Sequence, residues 1–180
     1  LISDKQFGVI VPYYITQVYF LQKDYGNLID FVLPLLDSVI PSRRSEVYRV
    51  LAESYYEIKD YVSAITYLLA YIDQEKSSVP MVDFLLGKSY FKIEKYEDAI
   101  RYLEKIPSNL DSISQHSTYF LAASYLKIKQ YNYALQAFKK SASYNCDLMI
   151  KQEASYNYAK LLYQLDLPFD NTLEVLNKYL

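Results

Sequence analysis

Ala122-Ala-Ser-Tyr125, followed six residues after its tyrosine by Tyr131-Asn-Tyr-Ala134, is a pattern that runs back along the whole chain. The same spacing joins Gly87-Lys-Ser-Tyr90 to Tyr96-Glu-Asp-Ala99, and Ala52-Glu-Ser-Tyr55 to Tyr61-Val-Ser-Ala64. It also joins Thr16-Gln-Val-Tyr19 to Tyr25-Gly-Asn-Leu28. A looser copy runs from Ala159-Lys-Leu-Leu162 to Phe169-Asp-Asn-Thr172. The leading small residues stand at 16, 52, 87, 122 and 159, so the period is 36, 35, 35 and 37 residues. A fixed period of this length is the mark of stacked supersecondary units.

Each unit reads as two helices. Before the tyrosine, apolar residues recur at helical spacing, as in Tyr48, Leu51, Ala52 and Tyr55. A polar break follows (Lys23-Asp24, Lys59-Asp60, Glu94-Lys95, Lys129-Gln130), and a second amphipathic stretch opens on an aromatic. In the second unit that stretch carries Tyr61, Ala64, Ile65, Leu68 and Tyr71. Pro41, Pro80 and the run Pro107-Ser-Asn-Leu-Asp-Ser112 punctuate the junctions: proline suits a first helical turn, and Asp111 or Ser112 suits an N-cap. No strand pattern competes. The expectation is about ten helices, with breaks near 23–24, 59–60, 94–95, 129–130 and 166–168.

Small residues at two points of each unit let paired helix axes approach to about 8 Å. They are Thr16, Ala52, Gly87, Ala122 and Ala159 on first helices, and Ala64, Ala99 and Ala134 on second helices. One unit cannot bury both its faces, so neighbours stack and the core runs along the array.

Composition excludes several function classes. The 180 residues carry 19 Lys+Arg against 21 Asp+Glu, without the basic excess that nucleic acid demands. One cysteine and one histidine cannot assemble a zinc site or an internal disulfide, and no cofactor motif is present. The most apolar stretch, Gly8 to Ile15, is interrupted by Pro12 and falls short of the ~20 residues of a membrane span. Neither His116, expected on the surface in a first helical turn, nor Cys146 in a unit junction has the partners of a nucleophile–base pair. An enzyme is not expected. Leu1 and Leu180 both fall within apolar helical patterns, so the chain reads as part of a longer array and carries no information on compartment.

These units resemble the tetratricopeptide repeat family: a small residue, an aromatic three on, a second small residue twelve on, and a large apolar residue four beyond. Gly87, Tyr90, Ala99 and Leu103 fit, as do Ala122, Tyr125, Ala134 and Phe138. The resemblance implies an all-α, right-handed α-solenoid of about five helix-turn-helix repeats. One array would cover 1–180, with repeats at about 9–41, 45–78, 80–112, 115–147 and 152–180. Leu28 and Thr172 depart from the pattern, so the end units are expected to be looser. The Tyr-rich units and Val11-Pro-Tyr-Tyr-Ile15 also resemble long cell-envelope tetratricopeptide proteins of Gram-negative bacteria, which implies a periplasmic or envelope setting.

In this family the first helices line a concave groove. Family register places Tyr13, Arg49, Phe84, Tyr119 and Tyr156 in one inner row, and Gln17, Glu53, Lys88, Ala123 and Lys160 in the next. Phe20, Tyr56, Phe91, Leu126 and Tyr163 form a third row. Family members that grip chaperone C-termini pair Lys with Asn across the first two rows, and none of these pairs does so. The outer rows are mostly aromatic, a ladder additional to the core set. Two readings stand: a groove that takes a protein or peptide on Tyr and Phe anchors to scaffold a complex, or a structural spacer or assembly scaffold whose stacking faces continue into flanking repeats of a longer protein. Apolar stacking faces at both ends would further permit end-to-end self-association.

Overall fold

The structure, a computed structural model, describes residues 11–109 and 111–165. The chain divides into two compact units between Ser89 and Tyr90. The first holds α1 (Val11–Leu21), α2 (Tyr25–Val32), a 3-10 helix (Leu33–Ser38), α3 (Pro41–Glu57), α4 (Tyr61–Glu75) and most of α5 (Pro80–Lys92). The second holds the end of α5, then α6 (Tyr96–Leu103), α7 (Asp111–Lys127), α8 (Tyr131–Ser143) and α9 (Leu148–Gln164). Among the described residues there is no strand, and the fold is all-α with repeated helix pairs. The expected break near 166–168 and the helix after it lie outside the described residues.

Four turns between helices are built alike. Lys23, Lys59, Glu94 and Lys129 sit in the left-handed region, with φ of 57°, 68°, 63° and 61°. The next residue's N–H reaches back to the carbonyl of the repeat tyrosine: Asp24 to Tyr19 (3.0 Å), Asp60 to Tyr55 (2.9 Å), Lys95 to Tyr90 (3.0 Å) and Gln130 to Tyr125 (2.9 Å). The left-handed residue's own N–H closes the inner bond, as from Lys59 to Tyr56 O at 3.0 Å. That pair of bonds is the Schellman C-cap, which satisfies carbonyls the helix end leaves open. Glycine would hold the left-handed conformation without a Cβ penalty, yet a long charged residue stands there each time. The residue after it serves at once as the N-cap of the next helix. Asp24 and Asp60 accept from the N–H groups of Asn27 (3.4 Å) and Ser63 (3.1 Å). Lys95 and Gln130 make no side-chain cap bond.

Packing follows the small residues. Thr16, Ala52, Gly87, Ala122 and Ala159 are buried, as are Ala64, Ala99 and Ala134. In the first unit Leu28, Val32, Val47, Val50 and Leu51 form a closed core. Leu28, which departs from the small-residue pattern, is wholly buried there and anchors that core. The helix carrying it is short, because Pro34 has no N–H to continue the α-ladder and the chain tightens into the 3-10 turn. In the second unit Ala122, Ala134, Phe138, Ala154 and Leu161 form the corresponding core.

Each repeat tyrosine leans on a ring of the following helix. Tyr55 stacks on Tyr67 at 5.5 Å and Tyr90 on Tyr102 at 5.6 Å, nearly parallel at 4° and 9°. Tyr19 meets Phe31 at 5.9 Å. All three partners stand twelve residues on.

Between α8 and α9 the chain is tied down by a polar clamp. The buried Gln115 amide donates to the Asp147 carbonyl (2.8 Å) and accepts from the Asp147 N–H (2.7 Å). The Asp147 carboxylate caps α9 through the N–H groups of Met149 and Ile150, at 2.9 and 3.1 Å. It also lies 3.1 Å from His116 Nε2. His116 is therefore the sixth residue of α7, beyond the first turn and engaged with a junction. The Ile150 N–H, more than any other group, holds the Asp147 carboxyl below the usual range.

Two stability outcomes follow from these contacts. Lys95→Asp supplies the carboxylate that α6 lacks and should add about 1 kcal/mol. A urea unfolding midpoint equal to that of the parent would show the turn cannot use it. Gln115→Ala strands the N–H and carbonyl of Asp147 and should cost roughly 2–4 kcal/mol in the same assay. A loss under ~1 kcal/mol would mean water takes over both bonds.

Candidate functional site

Six residues of the expected inner rows surround one cavity in the first unit. Phe20, Arg49, Glu53, Tyr56, Phe84 and Lys88 line a space of 300 Å³, together with Tyr25, Glu57, Met81 and Leu85. The geometry comes from helical spacing: Arg49, Glu53 and Tyr56 succeed each other at i, i+4 and i+7 on α3, and Phe84 and Lys88 at i and i+4 on α5.

The Arg49 charge in the cavity is paired within the molecule. The Arg49 guanidinium donates through Nη2 (2.6 Å) and Nε (3.2 Å) to Glu46, and through Nη1 to Glu53. The hydrogen bond to Glu46, with further support from Glu53, raises the guanidinium's affinity for its proton. Glu53 behaves differently. Burial raises its carboxyl above the usual range even though Arg49 pulls the other way. The Lys88 ammonium lies 4.8 Å from the Tyr56 ring centre and 5.1 Å from that of Phe84, over two π-faces. Burial, ahead of the neighbouring Tyr61, pushes the Tyr56 phenol up to about 12, so it stays a neutral donor at any physiological pH. Its ring packs edge-on to Tyr61 at 5.3 Å.

Two further expected residues of this unit stand outside the lining. Tyr13 packs against the first core with the Arg43 guanidinium 5.1 Å above its ring. Gln17 is half-buried, and its amide nitrogen is shut from solvent with no hydrogen-bond partner among the described residues.

The second unit carries the other seven, of which Ala123 is half-buried and Leu126 packs against the second core. Phe91 meets Tyr96 and Phe120 edge-on at 5.6 and 5.4 Å. Tyr119 packs on Phe138 (6.0 Å) at the edge of the second core, and burial with the Glu153 carboxylate pushes its phenol up to about 12. Tyr119 is thus partly a core ring, and Tyr13 and Phe20 likewise rest on the first core. The idea that the inner ladder is wholly additional to packing fails for these three, because a ring beside a small residue fills space the small residue leaves. Tyr156, Lys160 and Tyr163 stand exposed on one face of α9, with the Lys160 ammonium 6.0 Å over the Tyr156 ring.

Sequence reasoning missed Tyr25, Glu57, Met81 and Leu85. Glu57 and Met81 continue the inner stripes by one helical step, four after Glu53 and three before Phe84, so the periodicity held the signal. Tyr25 opens α2, and only the turn folding it back beside Phe20 (6.1 Å) brings it in.

Because burial holds Glu53 above its unfolded range, its stabilising share is present below the unfolded carboxyl pKa and is lost as pH rises through the folded one. Glu53→Gln should therefore raise the thermal midpoint at pH 7 and lose that advantage near about pH 4. A lower midpoint at pH 7 would mean that the Arg49 pair outweighs the desolvation.

Residues 33–106, less than half of the chain, match the family model described as anaphase-promoting complex, cyclosome, subunit 3. No curated protein matches the chain in sequence. Solved structures are similar across nearly all of it. MamA of strain AMB-1 superposes with a TM-score of 0.78 at 14% identity, over 97% of this chain and 91% of that one. MamA of Desulfovibrio magneticus RS-1 gives 0.72 at 14%, over 93% and 90%. A Podosopora anserina protein of nearly identical TPR-like repeats gives 0.65 at 12%, over 93% and 90%. At such identities the likeness speaks for the fold alone.

Proposed function

Starting from a chain that carries the tetratricopeptide-repeat fold, we propose that it is a non-catalytic protein-interaction module whose inner helical faces take a segment of another polypeptide. The observation that carries this reading is the cavity bounded by Phe20, Tyr56 and Phe84, with Arg49, Glu53 and Lys88 between the rings. Aromatic walls supply contact area at low entropy cost, and the Tyr56 hydroxyl can serve a peptide backbone. Arg49 is already held by two carboxylates, so bulk charge attraction is a small part of recognition and the rings carry most of it. The aromatic stripe Tyr156–Tyr163 on α9 offers the second unit's contribution to the same kind of contact. The repeats at about 9–41, 45–78, 80–112, 115–147 and 152–180 are proposed as the units of this scaffold. No helix among the described residues is long and apolar enough to cross a membrane.

A second reading, a spacer whose end faces stack on further repeats or on another copy, is favoured by α1. Tyr14, Val18 and Leu21 stand at i, i+4 and i+7 with 59%, 51% and 80% of their surface open to water. Such an apolar stripe suits the stacking face of a repeat array.

The two readings separate in a peptide-display selection followed by titration of the selected peptides. Phe84→Ser combined with Tyr56→Ser should weaken binding at least tenfold, leave far-UV helicity unchanged, and show only mild salt dependence. Selected peptides that bind the folded double variant as well as the parent would move recognition off this surface and favour the spacer.

A further inference from the structure

The last turn of α3 carries a charge opposed to its place. Two residues after the repeat tyrosine, α5 has Lys92 and α7 has Lys127, cations that complement the negative end of the helix dipole. At the same position α1 has the neutral Leu21, and α3 ends on Glu57 with no basic residue in its last turn. A carboxylate there is repelled by the dipole, and a local rule broken without local compensation is expected where a site is built. Glu57 is exposed and lines the cavity around Phe84. It pairs with no cation among the described residues, whereas Glu46 and Glu53 both hold Arg49.

The rings of the cavity divide in the same way. Tyr56 and Phe84 have the Lys88 ammonium over their faces, at 4.8 and 5.1 Å. Phe20 and Tyr25, set edge-on at 6.1 Å, have no cation over them among the described residues. One cavity therefore holds two rings with a cation, two rings without one, and a carboxylate still to be paired. An aliphatic side chain would leave Glu57 as it is, and an acidic one would be repelled by it. An ammonium is compact and strongly hydrated. A guanidinium is planar and more weakly hydrated, so it can lie against a ring and fork onto a carboxylate at once.

We propose that the side chain anchored in this cavity is an arginine of the partner polypeptide, paired with the Glu57 carboxylate and resting against the Phe20 and Tyr25 rings. The inference rests on the reading of the inner helical faces as a polypeptide site and names the residue that the site selects. A single ion pair keeps the salt dependence mild, and the rings still supply most of the contact.

The test titrates the protein with N-acetyl-glycyl-arginyl-glycinamide and with its citrullyl and leucyl analogues, following backbone amide shifts by NMR. The arginyl peptide should give saturable shifts centred on Phe20, Glu57 and Lys88, at least fivefold tighter than the citrullyl one, which has the same length and no charge. Glu57→Lys, which gives α3 the charge that α5 and α7 carry at this place, should abolish those shifts and raise the thermal midpoint. Glu57→Gln should remove most of the preference for arginine over citrulline. Equal response to the arginyl and citrullyl peptides, undiminished arginyl binding in either variant, or a lower midpoint in Glu57→Lys would each overturn the arginine assignment and leave the polypeptide-site reading standing. Absence of saturable shifts in the lining with all three peptides would also overturn the assignment, and the display-selected peptides would then decide the broader reading separately.

Discussion

Ala52 and Ala64, and again Ala122 and Ala134, have no surface open to water, and they lie on helices that pack as pairs. Helix axes come as close as about 8 Å only where side chains at the crossing are no larger than a methyl group. Once two helices are that near, the space on either side of the crossing is wide and must be filled by something long. That is why tyrosine follows three residues after the small position, and why its carbonyl is so placed that the turn after it can close back on it. Small residue, ring and turn are one solution to one packing constraint.

The same constraint explains how the surface is furnished. A helix whose small stripe and tyrosine are consumed by its partner has its remaining face free to carry other residues at i, i+4 and i+7. On α3 that face holds Arg49, Glu53 and Tyr56, in which a guanidinium bridges two carboxylates and a ring extends the apolar wall. Electrostatics there are mostly settled within the molecule, with burial raising Glu53 and π-faces receiving Lys88. What is left for a partner is shape and aromatic surface.

Polar groups do the joining. The turns within helix pairs repeat a single backbone geometry, whereas the junctions between pairs are individual. Pro34 with its 3-10 turn serves one, Pro80 opens another helix, and the Gln115–Asp147 clamp fastens a third. A buried amide matched to both backbone polar atoms of one residue substitutes for secondary structure where none can run, which ties the entry of α9 to α7.

The residues by themselves determined the helix pairs, their breaks at 23–24, 59–60, 94–95 and 129–130, and the buried small positions. Those features arise from local spacing, and a period of 35 or 36 residues leaves little freedom once helices are assigned. The inner rows were legible in part: six of their residues meet around one cavity because i, i+4, i+7 spacing on a helix fixes which side chains share a face. Tertiary packing decided the rest. It placed Tyr13, Phe20 and Tyr119 against the cores, since whether a ring faces a neighbour or the solvent depends on what the adjoining helix leaves unfilled. It turned Leu28 from an apparent defect into the centre of the first core. It also gave Tyr125 a different partner: Ala137 stands where the other pairs carry a ring, and Tyr133, one turn earlier on the same helix, stacks on Tyr125 at 5.2 Å instead.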